Sequence, residues 1–144
     1  MTELLPTYRG VVYPWHCDHM GHMNVMWYVG KFDEATWNLF AAMGMTAAFL
    51  REQRRGMSAV KQDITYRREL HAGETVSIQS ALVELRDKVA RFVHEMRNAD
   101  TGEFAALCEL TGVHIDTTTR KSCPFPDAIL TRARSMVRAY SPPD

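Results

Sequence analysis

The stretch NVMWYVGKFDEATWNLFAAMG, residues 24–44, decides how the chain folds. Tyr28, Phe32, Ala35, Leu39 and Ala42 recur at spacings of four and three, the period of one helical face. Asn24 is a suitable N-cap, and Gly44 suits the position just past the last turn. Met26, Trp27, Val29, Trp37, Phe40 and Met43 widen the apolar stripe, leaving Lys31, Asp33, Glu34 and Asn38 as the main polar groups. A helix apolar over most of its circumference is buried on most sides. Something must therefore wrap around it.

The flanking segments supply the wrapping. Before the helix, TYRGVVY (7–13) reads as a strand. After it, a short second helix is expected at about 46–55, ending at Gly56. From Met57 the pattern turns to strands. Val60, Ile64, Tyr66 and Leu70 share one parity, and His71-Ala72-Gly73 signals a turn. Val76, Ile78 and Leu82 open the next strand. Val83 and Leu85 then switch parity, which predicts a bulge or strong curvature. Arg86-Asp87 makes a tight connection, and Val89–Arg97 reads as a third strand. Asn98-Ala99-Asp100-Thr101-Gly102 is a strong hairpin turn, followed by a long strand over Phe104–Ile115. Pro124 and Pro126 end the sheet region, and Asp127 is expected to cap a last helix running to about Tyr140. The order predicts an α+β fold: a curved antiparallel sheet of about five strands wrapped around one long central helix. The open edge of such a sheet tends to pair with a second copy.

Composition narrows the function classes. The 144 residues, 46% hydrophobic and 24% charged, suit a single globular domain spanning 1–144. Seventeen Lys and Arg balance seventeen Asp and Glu, and residues 1–50 hold only Arg9 and Lys31 as fixed cations. A duplex groove wants a broad basic face, so nucleic acid is not an expected partner. No apolar run approaches the ~20 residues that cross a bilayer, so no membrane association is expected. Cys17, Cys108 and Cys123 form no CxxC, and the N-terminal residues lack the pattern of a secretory signal. A cytoplasmic location is expected.

The chemically loaded segment is WHCDHMGHMNVMWY, residues 15–28. Asp18 lies between two histidines just ahead of the helix, and Gly21 permits a sharp turn. The helix start near Val25 offers free backbone N–H groups and the positive end of the dipole. A carboxylate that attacks or activates water, with N–H donors for a developing oxyanion, is what acyl transfer needs. Each residue also has a plainer role. Asp18 could cap its turn, His22 could be a packed ring, and Asn24 could serve only as the helix cap. Trp15, Trp27 and Trp37 could belong to the core or an interface. The set His16, Asp18, His19 and His22 has metal-ligand chemistry, but four ligands in seven residues seldom close a tetrahedron. No metal is expected. Cys17 is a poor nucleophile, because the anion beside it raises a thiol pKa.

Asp18-x-x-Gly21-His22-x-Asn24-x-x-x-Tyr28, followed by Phe32-Asp33-Glu34-Ala35, resembles the hot-dog acyl-CoA thioesterases of the 4-hydroxybenzoyl-CoA thioesterase group. The block Ile64–Leu70 with Gly73-Glu74 fits a later element of the same group. The resemblance implies a hot-dog fold, a homodimer or homotetramer, and hydrolysis of an acyl-CoA thioester. It implies no cofactor, since coenzyme A is part of the substrate. Two positions depart from the group's pattern: His16 stands where many members carry an acidic residue, and Val25 where many carry a second Asn. On this reading the catalytic set is Asp18, His22, Asn24 and the Val25 N–H. Trp15, Trp27 and Tyr28 would meet the acyl group, and Arg67, Arg68 and Lys88 would hold the phosphates of CoA. The rings favour a small polar or cationic acyl group, of betainyl type, over a long chain, and an aromatic acyl group would stack there nearly as well. Asp33 or Glu34 would add a charge partner. Two alternatives share the fold: an enoyl-CoA hydratase, disfavoured by the Asp18–His22 spacing, and a non-catalytic protein that binds acyl thioesters.

Overall fold

The computed structural model describes residues 3–143. β1 (Leu5–Val11) leads through a short 3-10 turn and a loop into α1 (Val25–Ala42), and α2 (Ala47–Gln53) follows. Then come β2 (Arg55–Tyr66), β3 (Thr75–Leu85), β4 (Val89–Asn98), β5 (Phe104–Asp116), the two-residue β6 (Lys121–Ser122) and α3 (Asp127–Arg134). The sheet is antiparallel throughout, in the order β1-β3-β4-β5-β2, with β6 added on β5. It curls around α1 in the hot-dog arrangement.

Local signals explain the elements. The Asn24 side chain caps α1, and Gly44 leaves it at φ +102°, a conformation that only glycine adopts cheaply. Thr46 caps α2 through the Phe49 N–H. In β3, Val76, Ile78 and Leu82 face the helix; a register shift between Leu82 and Glu84 then turns Leu85 inward as well. This is the expected bulge at the switch of parity. Phe32, Leu39, Ile78, Leu82, Phe92 and Met96 fill the space between α1 and the sheet. Each such side chain contributes roughly 1.5–3 kcal/mol on burial. A smaller cluster of Ala81, Val93 and Leu107 lies on the outer face.

Three expectations need correction. Asp127 does not cap α3: it sits in the first turn behind Pro126, and the helix stops at Arg134. Beyond it Val137 bridges to Leu82, and the Tyr140 hydroxyl donates to Glu95 Oε2 (2.5 Å). Lys31 is not on a solvated face. It is buried, donating to the Tyr8 hydroxyl (2.8 Å) and Val11 O (3.4 Å), over the Tyr8 ring. Gly10 makes this possible, because a Cβ there would stand 2.2 Å from the Tyr8 hydroxyl oxygen. Finally, α1 is not covered on every apolar side. Val25, Met26, Val29 and Trp37 stay exposed, and β2 forms an edge on which Val60 is 60% exposed.

The centre of the fold is polar at one point. His94 on β4 is fully buried, with Nδ1 at 2.5 Å from the Ser80 hydroxyl and Nε2 at 2.8 Å from the Thr36 hydroxyl. Thr36 donates onward to Phe32 O (3.0 Å), and Ser80 meets the Thr7 hydroxyl (2.7 Å). Two directions of donation satisfy the hydroxyls and the ring: Thr7 to Ser80 to Nδ1 with Nε2–H to Thr36, or Nδ1–H to Ser80 to Thr7 to Ile78 O (3.3 Å) with Thr36 to Nε2; the ring is neutral in both. Burial pushes the His94 pKa down to about 3, so the ring is neutral. The chain of bonds ties α1 to three strands.

Candidate active site

Between β1 and α1 the chain forms a clamped loop. Cys17 and Met23 pair as an antiparallel bridge. Inside it the Asp18 N–H donates to His22 O (3.2 Å) and the Gly21 N–H to Asp18 O (3.0 Å). Gly21 sits at φ +87°, which explains glycine there. The Met23 N–H donates to Leu70 O (2.7 Å) and the Asn24 N–H to His16 O (2.8 Å), so the loop is fixed to both of its neighbours.

Both oxygens of Asp18 are held. Oδ1 accepts from the Met20 N–H (2.8 Å), and Oδ2 accepts from the Asn24 amide (2.6 Å). Asn24 Oδ1 in turn accepts the Met26 N–H (2.8 Å). One amide therefore caps α1 and orients the carboxylate. The Asn24 bond first, and the Met20 N–H second, hold the Asp18 pKa below its ordinary value. The group is a carboxylate throughout the neutral range. Asp18 and Asn24 thus fill the plainer roles of turn and cap, and the same bonds aim the charge.

The first turn of α1 leaves one donor over. The Met26 N–H goes to the Asn24 side chain, and those of Trp27 (2.9 Å) and Tyr28 (3.4 Å) go to Asn24 O. Among the described residues the Val25 N–H has no acceptor. It points from the positive end of an 18-residue helix. Beside it a cavity of about 350 Å³ opens between His22, Val25 and Tyr28 on one side and the run Tyr66–Glu69 on the other. Neither Asp18 nor Asn24 lines this cavity: the carboxylate is held by the Asn24 amide, and Asn24 sits in the chain between the lining residues Met23 and Val25. An unpaired N–H, an oriented carboxylate and an open cavity suit attack on a carbonyl whose oxygen gains charge.

The remaining candidates divide. His22 lines the cavity, with Nδ1 at 3.2 Å from Met23 O and Nε2 at 3.3 Å from Glu69 Oε2. Tyr28 lines it too; its hydroxyl donates to Arg68 O (3.0 Å), and burial raises its pKa to about 12. Trp15 and Trp27 do not reach it. Trp15 stacks on Tyr13 at 4.5 Å, and Trp27 packs on the His16 ring at 4.5 Å, both on the β1 side of the loop. Arg67 and Arg68 stand at the cavity, their N–H groups on Ala105 O. Lys88 stands apart, because its carbonyl bonds to the His114 N–H. Nine residues of β5 separate His114 from Ala105, a span of ~30 Å. The four possible metal ligands do not converge. Asp18 is turned to Met20 and Asn24, His16 Nδ1 accepts from the Tyr13 N–H (2.9 Å), and His22 faces Glu69. Burial, then the charge of Lys31, lowers the His16 pKa.

Sequence reasoning gave no site role to Tyr66 or Glu69. Tyr66 carries the parity of its strand, but nothing in the pattern says that the strand's end meets the start of α1. The Tyr66 ring stands edge-on to Tyr28, centroids 5.0 Å apart at 90°.

Comparison with known proteins places the chain in a family. The sequence profile of the thioesterase-like superfamily matches residues 12–133. The chain is 24% identical over 140 residues to the betainyl-CoA thioesterase of Pseudomonas aeruginosa, covering 97% of this chain and 88% of that protein. It is 28% identical over 113 residues to the L-carnitine dehydrogenase/betainyl-CoA thioesterase of Agrobacterium fabrum. That match takes in 78% of this chain but only 23% of the longer protein. Among solved structures, a hypothetical protein of Staphylococcus aureus in complex with CoA superposes with a TM-score of 0.89. It is 18% identical and is covered over 93% of its length by the whole of this chain, which speaks to the fold. With a fold, a loop and a profile match that all agree, the chain belongs to the thioesterase-like superfamily and is a thioester hydrolase of hot-dog architecture.

Proposed function

We propose that the protein hydrolyses a small acyl-CoA thioester to the free acid and CoA, with Asp18 as the reacting carboxylate and the Val25 N–H as the oxyanion donor. The observation that carries this reading is the unpaired Val25 N–H beside a carboxylate whose direction is set by the helix cap. Asp18 attacks the thioester carbon to give an anhydride that water then cleaves to the free acid, or draws a proton from the water that attacks directly; the carbonyl oxygen takes up charge at Val25, and the CoA thiolate leaves and takes up a proton. Arg67 and Arg68, exposed at the cavity, meet the CoA phosphates. The Arg68–Glu103 pair, at 3.4 Å and exposed on both sides, gives way at small cost to a phosphate. The two curated relatives named as betainyl-CoA thioesterases support a small cationic acyl group.

The working unit in this reading is a homodimer. The β2 edge is unpaired, and Val25, Val29 and Trp37 leave an apolar stripe exposed on α1. Antiparallel pairing of β2 with a second copy about Gln62 sets Lys61 opposite Asp63 of that copy, and Val60 opposite its Ile64. Opposite charges directly across a ladder favour this register. A monomer in sedimentation at micromolar concentration, with full activity, contradicts it.

The test of the reaction is release of CoA, read with a thiol reagent, from acetyl-, betainyl-, benzoyl- and palmitoyl-CoA. Turnover of the small substrates with betainyl-CoA foremost is expected. Release from none of the four sinks the hydrolase reading, and a preference for palmitoyl-CoA sinks the small acyl group. Single turnover in heavy-oxygen water separates the two roles of Asp18, since label enters the enzyme only through an acyl-enzyme anhydride.

A further inference from the structure

We propose that the corner formed by Tyr28, Tyr66 and Glu69 seats a quaternary ammonium carried by the acyl group and selects it over an uncharged group of the same shape. The inference rests on the thioesterase reading and names the part of the site that reads the substrate.

A quaternary ammonium has no N–H, so it gains nothing directional from hydrogen-bond acceptors. It is held by aromatic rings and by nearby negative charge. The cavity offers both. Tyr28 and Tyr66 both line it and stand edge-to-face; Tyr28 is almost fully buried, so the exposed Tyr66 presents the larger ring surface. The Tyr28 hydroxyl is committed to Arg68 O, which leaves its ring as its contribution to the cavity. Glu69 supplies a carboxylate on the same wall as Tyr66.

The neighbouring cations are drawn to other partners. Arg68 pairs with Glu103 (3.4 Å), and the Arg67 guanidinium lies 5.4 Å from the centre of the Phe104 ring. Glu103 precedes β5 and Phe104 begins it. Glu69 Oε2 lies 3.3 Å from His22 Nε2. The two arginines are thus turned toward Glu103 and Phe104 rather than toward Glu69, whose exposed carboxylate exchanges the His22 contact for the ammonium when the acyl group binds.

Reach agrees with this division. In a betainyl group one methylene separates the ammonium from the carbonyl carbon. The ammonium must then lie in the same cavity as the Val25 N–H that receives the carbonyl oxygen. Tyr28 is one helical turn from Val25 and lines that cavity with it. Asp33, expected from the sequence as a charge partner, lies eight residues along α1, ~12 Å from Val25. Trp15 and Trp27 lie on the β1 side of the loop.

The experiment compares kcat/KM for betainyl-CoA and for 3,3-dimethylbutanoyl-CoA, its uncharged carbon isostere. The wild type is expected to prefer betainyl-CoA by about 30-fold or more, and Tyr66→Leu and Glu69→Gln each to lower that ratio by about tenfold. Tyr66→Phe keeps the ratio, because the ring and not the hydroxyl is used. Equal rates on the two substrates in the wild type, or a ratio untouched by both variants, overturns the proposal. So does hydrolysis of acetyl- or benzoyl-CoA with none of betainyl-CoA, an outcome that leaves the thioesterase reading intact. Absence of turnover on every CoA thioester removes the proposal together with that reading.

Discussion

Two polar constellations hang on α1, and they are built on opposite principles. Around His94 the hydroxyls of Thr7, Ser80 and Thr36 close a chain in which every member is satisfied and neutral, and all but the half-buried Thr36 are out of water. At the N-terminus of the same helix, Asp18 and Asn24 are just as firmly bonded, yet a charge stays near the surface and the Val25 N–H stays unpaired. The closed network holds the helix to three strands. The open one has a donor and a lone-pair-bearing carboxylate to give to a substrate. Polar residues in a core are accordingly no guide to chemistry by themselves; what matters is whether a partner has been left out.

The sharpest way to break the comparison is to remove the closed network. His94→Ala deletes a large buried ring and strands the Ser80 hydroxyl. The expected loss is ~3–5 kcal/mol of unfolding free energy, read from urea midpoints at neutral pH. The sign of its pH dependence follows from the depressed value of about 3 against an ordinary 6.5. The unfolded chain takes up a proton below 6.5 while the folded chain does not. Stability is therefore full above that value and falls as the pH drops toward 3, by ~2 kcal/mol between pH 7 and 5 from this site. His114, whose pKa is also lowered chiefly by burial, adds to the same slope. The His94→Ala chain should show a shallower slope. Equal slopes in the two proteins would mean that the ring is not held neutral.

At the open site the expectation reverses. Asp18→Asn is nearly isosteric but sets its NH2 against one of two donors, the Met20 N–H or the Asn24 amide, so the unfolding midpoint should fall modestly, far less than in His94→Ala, while kcat falls at least ~100-fold. A folded variant with near-normal turnover would show that Asp18 only shapes the loop. A variant that unfolds would show that this network is closed and structural like the other.

The sequence speaks unequally about these two regions. The central helix, its cap and stop, the hairpin turns and the bulge near Val83 were legible because each is a local pattern with a period or a turn chemistry behind it. The loop motif from Asp18 to Tyr28 was legible because its residue types are unusual together. Tyr66 and Glu69 were not, since their role depends on where the end of β2 meets the start of α1, forty residues away along the chain. Lys31 misled for a related reason. A lysine at a polar-looking helix position reads as solvated, and only the tertiary fold brings Tyr8 and the bare backbone of Gly10 over it. His94 shares the inward parity of Phe92 and Met96, a period-two signal present in the sequence but not read from it.

The finest test separates the two jobs of Asn24. Its Oδ1 caps α1 and its amide donates to Asp18, the largest cause of that carboxylate's lowered pKa. Asn24→Ala removes both, at a cost of about 1 kcal/mol in stability. Asn24→Asp keeps a cap but sets a second carboxylate against Asp18, and two such groups cannot both ionise freely. Activity needs the Asp18 carboxylate, so it is present above the folded pKa and lost as the pH falls through it. In the wild type the acid limb of kcat/KM should lie below the ordinary aspartate value. In Asn24→Ala it should move up toward that value, and in Asn24→Asp beyond it, with the order wild type, Ala, Asp preserved at every salt concentration. An unmoved acid limb in both variants would reduce Asn24 to a helix cap and detach the carboxylate from the helix.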